Sequence, residues 1–266
     1  MTNEGKITSE TVRADFNSLM AVIHYTRAAY SLGLWESERI LIERFFPLRT
    51  ERLLEAGCGA GRVTLGLWRL GYRDLSAFDF AEGPLEQAQI LAKERGADAI
   101  RFIRADATRL AGLDGELNPP FGGALFMFNG LMQIPGRENR RNALRELRRV
   151  CRTGASILFT THDRNGSPAE SAHWRLEAEL WERGGQDPHL AEFGDRYFTS
   201  ESGRTFMHVP DRAEILADLA ESGWAQTFDA MRREIAAESP AVWEFADECR
   251  FWHATASAES GKPPLR

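Results

Sequence analysis

Glycine recurs at every second position between an acid and an arginine in Glu55-Ala56-Gly57-Cys58-Gly59-Ala60-Gly61-Arg62. The apolar pair Leu53-Leu54 leads in, and a helical pattern of Val63, Leu67 and Leu70 leads out. Strand, glycine turn and helix together let backbone approach a ligand closely. In α/β folds such a turn lies at the carboxyl edge of a parallel sheet, where nucleotides bind. Counted from Gly57, the sixth position is Arg62, so the third glycine of a dinucleotide fingerprint is missing. The Gly-Lys-Ser/Thr ending of a phosphate-binding loop is missing too. A carboxylate at Glu55 would repel a pyrophosphate, and it suits a cationic group such as the ammonium of an amino acid.

Further residues with chemistry follow at spacings the loop makes meaningful. Asp79 ends the segment Leu75-Ser76-Ala77-Phe78-Asp79-Phe80, 22 residues past Gly57. In nucleotide-binding βαβ units an acid about 20 residues on holds the ribose hydroxyls, because a carboxylate can accept both protons of a cis-diol. Asp106 follows the next apolar segment, Ile100–Arg104, in Ala105-Asp106-Ala107-Thr108. His162 follows the apolar segment Ser156–Thr161. It is the side chain whose unperturbed pKa lies nearest neutrality, and so is suited to general-base work.

These residues meet a known pattern. The loop Glu-Ala-Gly-Cys-Gly-Ala-Gly resembles motif I of the class I S-adenosylmethionine (SAM) methyltransferases, with Asp79 and Asp106 in order behind it. The resemblance covers about residues 51–256. It implies SAM as cofactor, held by Glu55, Gly57, Gly59, Gly61, Asp79 with Phe80, and Asp106 with Ala107, where Asp106 would bond the adenine amino group. Asn129, after the fourth strand, inherits a position that often touches adenosine or substrate. It also implies a Rossmann-like α/β fold: seven strands, mostly parallel with one reversed, and helices on both faces. Methyl transfer relies on positioning and a dry site, so the sequence names the cofactor better than the acceptor.

Asn118-Pro119-Pro120-Phe121 spells the motif that adenine-N6 and glutamine methyltransferases carry after strand four. Here the apolar strand comes after it, in Ala124–Phe128, so Asn129-Gly130 marks the strand's true end and residues 118–121 read as a lead-in loop.

The elements that must position these groups are legible from periodicity. Residues 1–14 read as frayed. Leu19, Val22, Ile23, Thr26 and Tyr30 share a helical face, and a second helix runs from about Glu36 to Phe46 before Pro47. By the resemblance, residues 1–50 form a helical lid. Residues 138–152 read as a helix with Cys151 on its apolar face and six arginines opposite, here taken as a solvated face. Residues 165–208 exceed the minimal fold. A helix from about Pro168 to Arg183 and a hairpin over residues 196–209 carry Trp174, Trp181, Tyr197 and Phe198, aromatics suited to a substrate cap. Asp211 caps another helix. Residues 224–231 and 249–256 form a final antiparallel pair, and 257–266 a polar tail.

The 266 residues are 43% hydrophobic with a formal net charge of −6. That supports a substantial core and provides no global basic field for nucleic acid. Cys58, Cys151 and Cys249 lack metal-ligand spacing, so no metal is expected and they read as buried thiols of a reducing cytoplasm. No apolar run is long enough to span a bilayer. The sequence thus points to a SAM-dependent methyltransferase acting on an oxygen or nitrogen of a small molecule. An RNA or protein methyltransferase and a nicotinamide-dependent oxidoreductase are the alternatives.

Overall fold

The computed structural model describes residues 5–258. Three helices come first: α1 (Ser9–Phe16), α2 (Leu19–Ser31) and α3 (Glu36–Phe45). The sheet then begins in alternation with helices: β1 (Leu53–Ala56), α4 (Arg62–Arg69), β2 (Leu75–Asp79), α5 (Glu82–Glu94), β3 (Arg101–Arg104), a short α6 (Asp114–Leu117) and β4 (Phe121–Phe126). A 3₁₀ turn (Gly130–Gln133), α7 (Arg137–Val150) and β5 (Cys151–Thr161) complete the parallel part. The excursion holds α8 (Pro168–Glu182) and the hairpin β6 (Asp195–Ser200) and β7 (Gly203–His208). The chain closes with α9 (Arg212–Glu221), β8 (Trp224–Met231), α10 (Arg232–Ile235), α11 (Pro240–Phe245) and β9 (Arg250–Ala256).

Seven strands form one sheet in the order β3-β2-β1-β4-β5-β9-β8. β1 to β5 pair in parallel, and β9 runs antiparallel to both neighbours, β5 and β8. All residues of β1, β2 and β4 are buried, as strands covered by helices on both faces must be. One apolar core lies on each face: Phe78, Phe121, Phe159 and Trp252 on one, Trp35, Leu41, Tyr72 and Phe251 on the other. The strand order reverses between β1 and β4, so their carboxyl ends splay apart and leave a crevice. The expected α/β architecture, with one reversed strand, is the observed one.

Local departures have identifiable causes. Residues 9–16 are helical rather than frayed. Thr8 and Thr11 cap α1 reciprocally, and Val12 and Phe16 pack against Phe206 of the hairpin, a surface that local pattern cannot reveal. Strand β4 stops at Phe126 instead of Phe128, because Phe128 and Asn129 turn into positive φ (53° and 59°). Cys151 starts β5, paired with Phe121, and does not end α7. The arginine face of α7 is not simply solvated. Arg140 is 1% exposed between Glu192 and Glu214, and Arg137 and Arg141 both hold Asp218. Residues 259–266 of the expected tail lie outside the described part. Among the described residues no helix is long and apolar enough to cross a membrane.

Candidate active site

The glycine turn after β1 takes positive φ at Gly57 (61°), Gly59 (52°) and Gly61 (81°), a region that costs other residues strain. Two of the three serve packing. A Cβ on Gly57 would come within 2.6 Å of the Phe126 ring, and one on Gly61 within 3.0 Å of Ala88 on α5. Gly59 differs, since a Cβ there would meet nothing within 4 Å and would enter open space. That space is a cavity of about 1050 Å³ measured out to its mouth. Glu55, Gly57, Gly59, Asp79, Phe80, Asp106 and Ala107 all line it, whereas Gly61 does not.

Each acid is held by its own turn. Asp79 is 8% exposed and accepts the Gly59 N–H on Oδ2 at 2.8 Å and the Ala81 N–H on Oδ1 at 2.9 Å. Burial raises its pKa, and these backbone donors oppose the rise. Asp106 accepts both the Thr108 N–H and hydroxyl on Oδ1 at 2.8 Å. Glu55 is 3% exposed and takes a short hydrogen bond from the Thr64 hydroxyl on α4. Burial pushes its carboxyl up to about 8, against the pull of Thr64 and Arg62.

A second chamber, about 1600 Å³ out to its mouth, opens beside the cavity. Tyr25, Ala28, Phe128, Gln133 and Phe245 line both spaces and form the wall between them. Burial drives the Tyr25 phenol up to about 12, with Ser202 and Gln133 acting against the rise, so the hydroxyl stays protonated. Asn129 and His162 line only the chamber. The structure therefore separates Asn129 from the residues around Gly59. His162 Nδ1 lies 3.0 Å from the Glu248 carbonyl, and Nε2 lies 3.2 Å from Asn129 Nδ2. Burial lowers the His162 pKa, so the ring is neutral at pH 7.

Asn118 sits at the opposite, amino-terminal edge of the sheet, just ahead of β4, away from both spaces. Of Trp174, Trp181, Tyr197 and Phe198 in the excursion, only Phe198 reaches the chamber. Trp174 and Trp181 pack edge-on to Phe193, and the Tyr197 hydroxyl donates to Asp15. Trp174 joins the core on one face of the sheet and Tyr197 packs into the cluster with α1, so their apolar surface is spent on the fold.

Sequence reading missed two residues. Arg62 donates to both Glu38 carboxylate oxygens at 2.6 Å and stacks over Trp35, bolting α3 to the glycine turn. The interrupting arginine was itself the available signal. Tyr25 was one of several aromatics on an unassigned helix, and nothing local marked it. Among the described residues, Glu192, Asp195 and His208 lie close enough to hold a metal ion. However, both His208 nitrogens are bonded to carboxylates, Asp195 and Glu214, at 2.8 Å, and Arg140 occupies Glu192.

Comparisons with known proteins agree with this geometry. Residues 53–154 match the family described as a methyltransferase domain. The chain is 28% identical over 135 residues to the malonyl-acyl-carrier-protein O-methyltransferase of Erwinia pyrifoliae, a match over 51% of this chain and 46% of that protein. The chain thus matches less than half the length of that relative. Among solved structures, a SAM-dependent methyltransferase of Methanosarcina mazei superposes with a TM-score of 0.64 at 17% identity, covering 85% of this chain and 100% of the other. The 1,6-didemethyltoxoflavin-N1-methyltransferase of Burkholderia thailandensis, solved with its substrate and S-adenosylhomocysteine, gives a TM-score of 0.58 at 16% identity, covering 92% and 87%. Residues 53–154 thus carry a methyltransferase domain, the fold is that of S-adenosylmethionine-dependent methyltransferases, and with the glycine turn and its acids these likenesses support S-adenosylmethionine as the cofactor.

Proposed function

We propose that this protein transfers a methyl group from SAM to an oxygen or nitrogen of a small molecule. One observation carries the reading: a cavity built on the glycine turn shares a wall with a separate chamber, at Tyr25, Ala28, Phe128, Gln133 and Phe245. Donor and acceptor could each be held in one space and meet at that wall, which is the positioning that methyl transfer requires.

The residues of the cavity suit the cofactor. Asp79 spends one lone pair of each oxygen on backbone, which leaves capacity for a ribose diol. Asp106 is tied through Oδ1 and would take the adenine amino group, with Phe80 and Ala107 beside the base. Glu55 would face the cationic amino-acid end, and Gly57, Gly59 and Gly61 would let backbone lie against it. Bound there, SAM would supply an electrophilic methyl on a sulfonium. On the chamber side, Asn129 would orient the acceptor and His162 would take its proton. The helices of residues 1–50 would act as the lid over domain 51–256, and residues 165–208 as the cap. A cytoplasmic setting suits three free, buried cysteines.

A nucleic-acid acceptor finds less support, because the α7 arginines are spent on Asp114, Glu138, Glu146, Asp218 and Glu221. An acidic acceptor of the kind the Erwinia relative's name gives is also less suited, since Glu201, Glu244 and Asp247 line the chamber. Calorimetry with SAM, S-adenosylhomocysteine and NAD tests the cofactor: the first two should bind and NAD should not. A metabolite screen for SAM-dependent gain of one methyl mass tests the acceptor. NAD binding in place of SAM would overturn the reading.

A further inference from the structure

We propose that the chamber recognises a small organic cation, an amine carried on an apolar or aromatic body, and that the methyl acceptor belongs to this class. The proposal rests on the methyltransferase reading for the identity of the acceptor, though not for the binding itself.

Three carboxylates line the chamber from separate stretches of chain: Glu201 in the β6–β7 turn, Glu244 on α11, and Asp247 beyond it. None of the three is in an ion pair among the described residues, whereas Glu38, Asp74, Asp218 and Asp229 are paired. One guanidinium, Arg27, also lines the space. The two histidines there, His24 and His162, are both lowered by burial and add no charge at pH 7. The three carboxylates are exposed at the rim, and with Arg196 stacked over Phe198 beside Arg27 they stand three against two, a modest negative balance at the mouth that salt would screen.

The apolar lining suits the same ligand. The Phe245 ring stacks between His24 at 4.8 Å and Phe128 at 5.3 Å, with Tyr25 and Phe198 nearby in the lining. With its faces stacked in this way, and with Arg196 over Phe198, the cluster supplies an apolar wall for the body of a ligand.

A third, independent observation concerns Asn129. It is 6% exposed, and its Oδ1 has no hydrogen-bond partner. Its orientation follows from His162. The Nδ1 proton of that ring is committed to the Glu248 carbonyl, so a neutral Nε2 can only accept, and Asn129 must present its N–H there. The amide oxygen is then the end left over, a buried acceptor in the chamber wall without a donor. Unmade hydrogen bonds of buried groups are costly, and a ligand N–H would satisfy this one. Three carboxylates and one orphaned carbonyl make the chamber rich in acceptors, and the complement is a donor-rich cation.

The test uses the full chain saturated with S-adenosylhomocysteine and three matched probes at pH 7: phenethylamine, 2-phenylethanol and 3-phenylpropionate. Calorimetry should find phenethylamine at least about tenfold tighter than 3-phenylpropionate, with 2-phenylethanol between them, and the gap should narrow at high salt. The rim variant E201Q/E244Q/D247N, altered only at exposed side chains, should keep its melting temperature and lose the preference. The proposal is overturned if the anion binds as tightly as the cation, if phenethylamine gives no binding at millimolar concentration, or if the triple variant keeps the preference. The S-adenosylhomocysteine titration reports separately on the methyltransferase reading. Its failure alongside an intact cation preference would sink that reading and leave the cation site standing.

Discussion

Asn129 Nδ2 lies 3.2 Å from His162 Nε2, with the opposite ring nitrogen 3.0 Å from the Glu248 carbonyl. The pair fixes one tautomer, and the Nε2 lone pair accepts the Asn129 N–H until an acceptor's proton takes that place. With an acceptor identified by the mass screen, His162→Ala should lower kcat about 10²–10⁴-fold. S-adenosylhomocysteine affinity should not change, because His162 lines the chamber and not the cavity. Burial holds the pKa below the usual histidine value, so the wild-type rate should fall only as pH drops below that value. A normal kcat in the variant would end the role as base.

Asp79 has two duties, and its replacement should show both. Asp79→Ala should weaken SAM binding by about 1–3 kcal/mol through lost hydrogen bonds to a charged group. It also orphans the Gly59 and Ala81 N–H groups, so the melting temperature should fall as well. Calorimetry and scanning calorimetry read the two effects separately. Unchanged affinity in a folded variant would remove Asp79 from the site.

Glu55 links cofactor binding to pH. Its carboxyl, at about 8 in the free protein, is mostly protonated at pH 7. A cationic ligand favours the ionised form, so binding should release most of a proton at pH 7. SAM affinity should therefore rise with pH until about 8 and level off above it. Titrations in two buffers of different ionisation enthalpy measure the proton directly. Glu55→Gln should abolish its release, and a buffer-independent heat in the wild type would contradict the linkage.

His208 ties the hairpin to α9 and should make stability depend on pH at both ends. Burial alone would depress its pKa, but Asp195 and Glu214 outweigh it and raise the value. The stability this adds is fully present below the usual histidine pKa and is lost as pH rises through the raised one. Glu214 behaves in the opposite sense. Burial would raise it, yet His208, Arg140 and Arg164 bring it down to about 2, so its contribution is lost as pH falls toward that value. His208→Gln should cost about 3–5 kcal/mol at pH 6, as for removal of one partner from a buried pair. The gap to wild type should shrink as pH rises through the raised histidine value. Melting curves across pH would show a constant gap if the imidazolium were not involved.

Features whose cause is local could be read directly from the chain. A glycine turn after β1 must take positive φ, and the acid ending β2 must stand at the same sheet edge, because strand-turn-helix units put every strand's carboxyl end on one side. Loop, Asp79, Asp106 and fold class were legible for that reason. The position of Asn118-Pro119-Pro120-Phe121 ahead of an apolar strand was enough to move it off the site. Tertiary structure decided whatever depends on partners distant in sequence. Glu38 meets Arg62 only once α3 folds over the turn. Residues 9–14 are helical only because the hairpin some 190 residues on gives Val12 and Phe16 a surface. Arg140 is buried only because Glu192 and Glu214 converge on it. Asn129 turned to the chamber and not to the cavity because its backbone adopts positive φ and its side chain meets His162, 33 residues away. Local pattern encodes periodicity and turn chemistry, whereas charge pairing and cavity walls come from contacts that exist only after the chain has closed on itself.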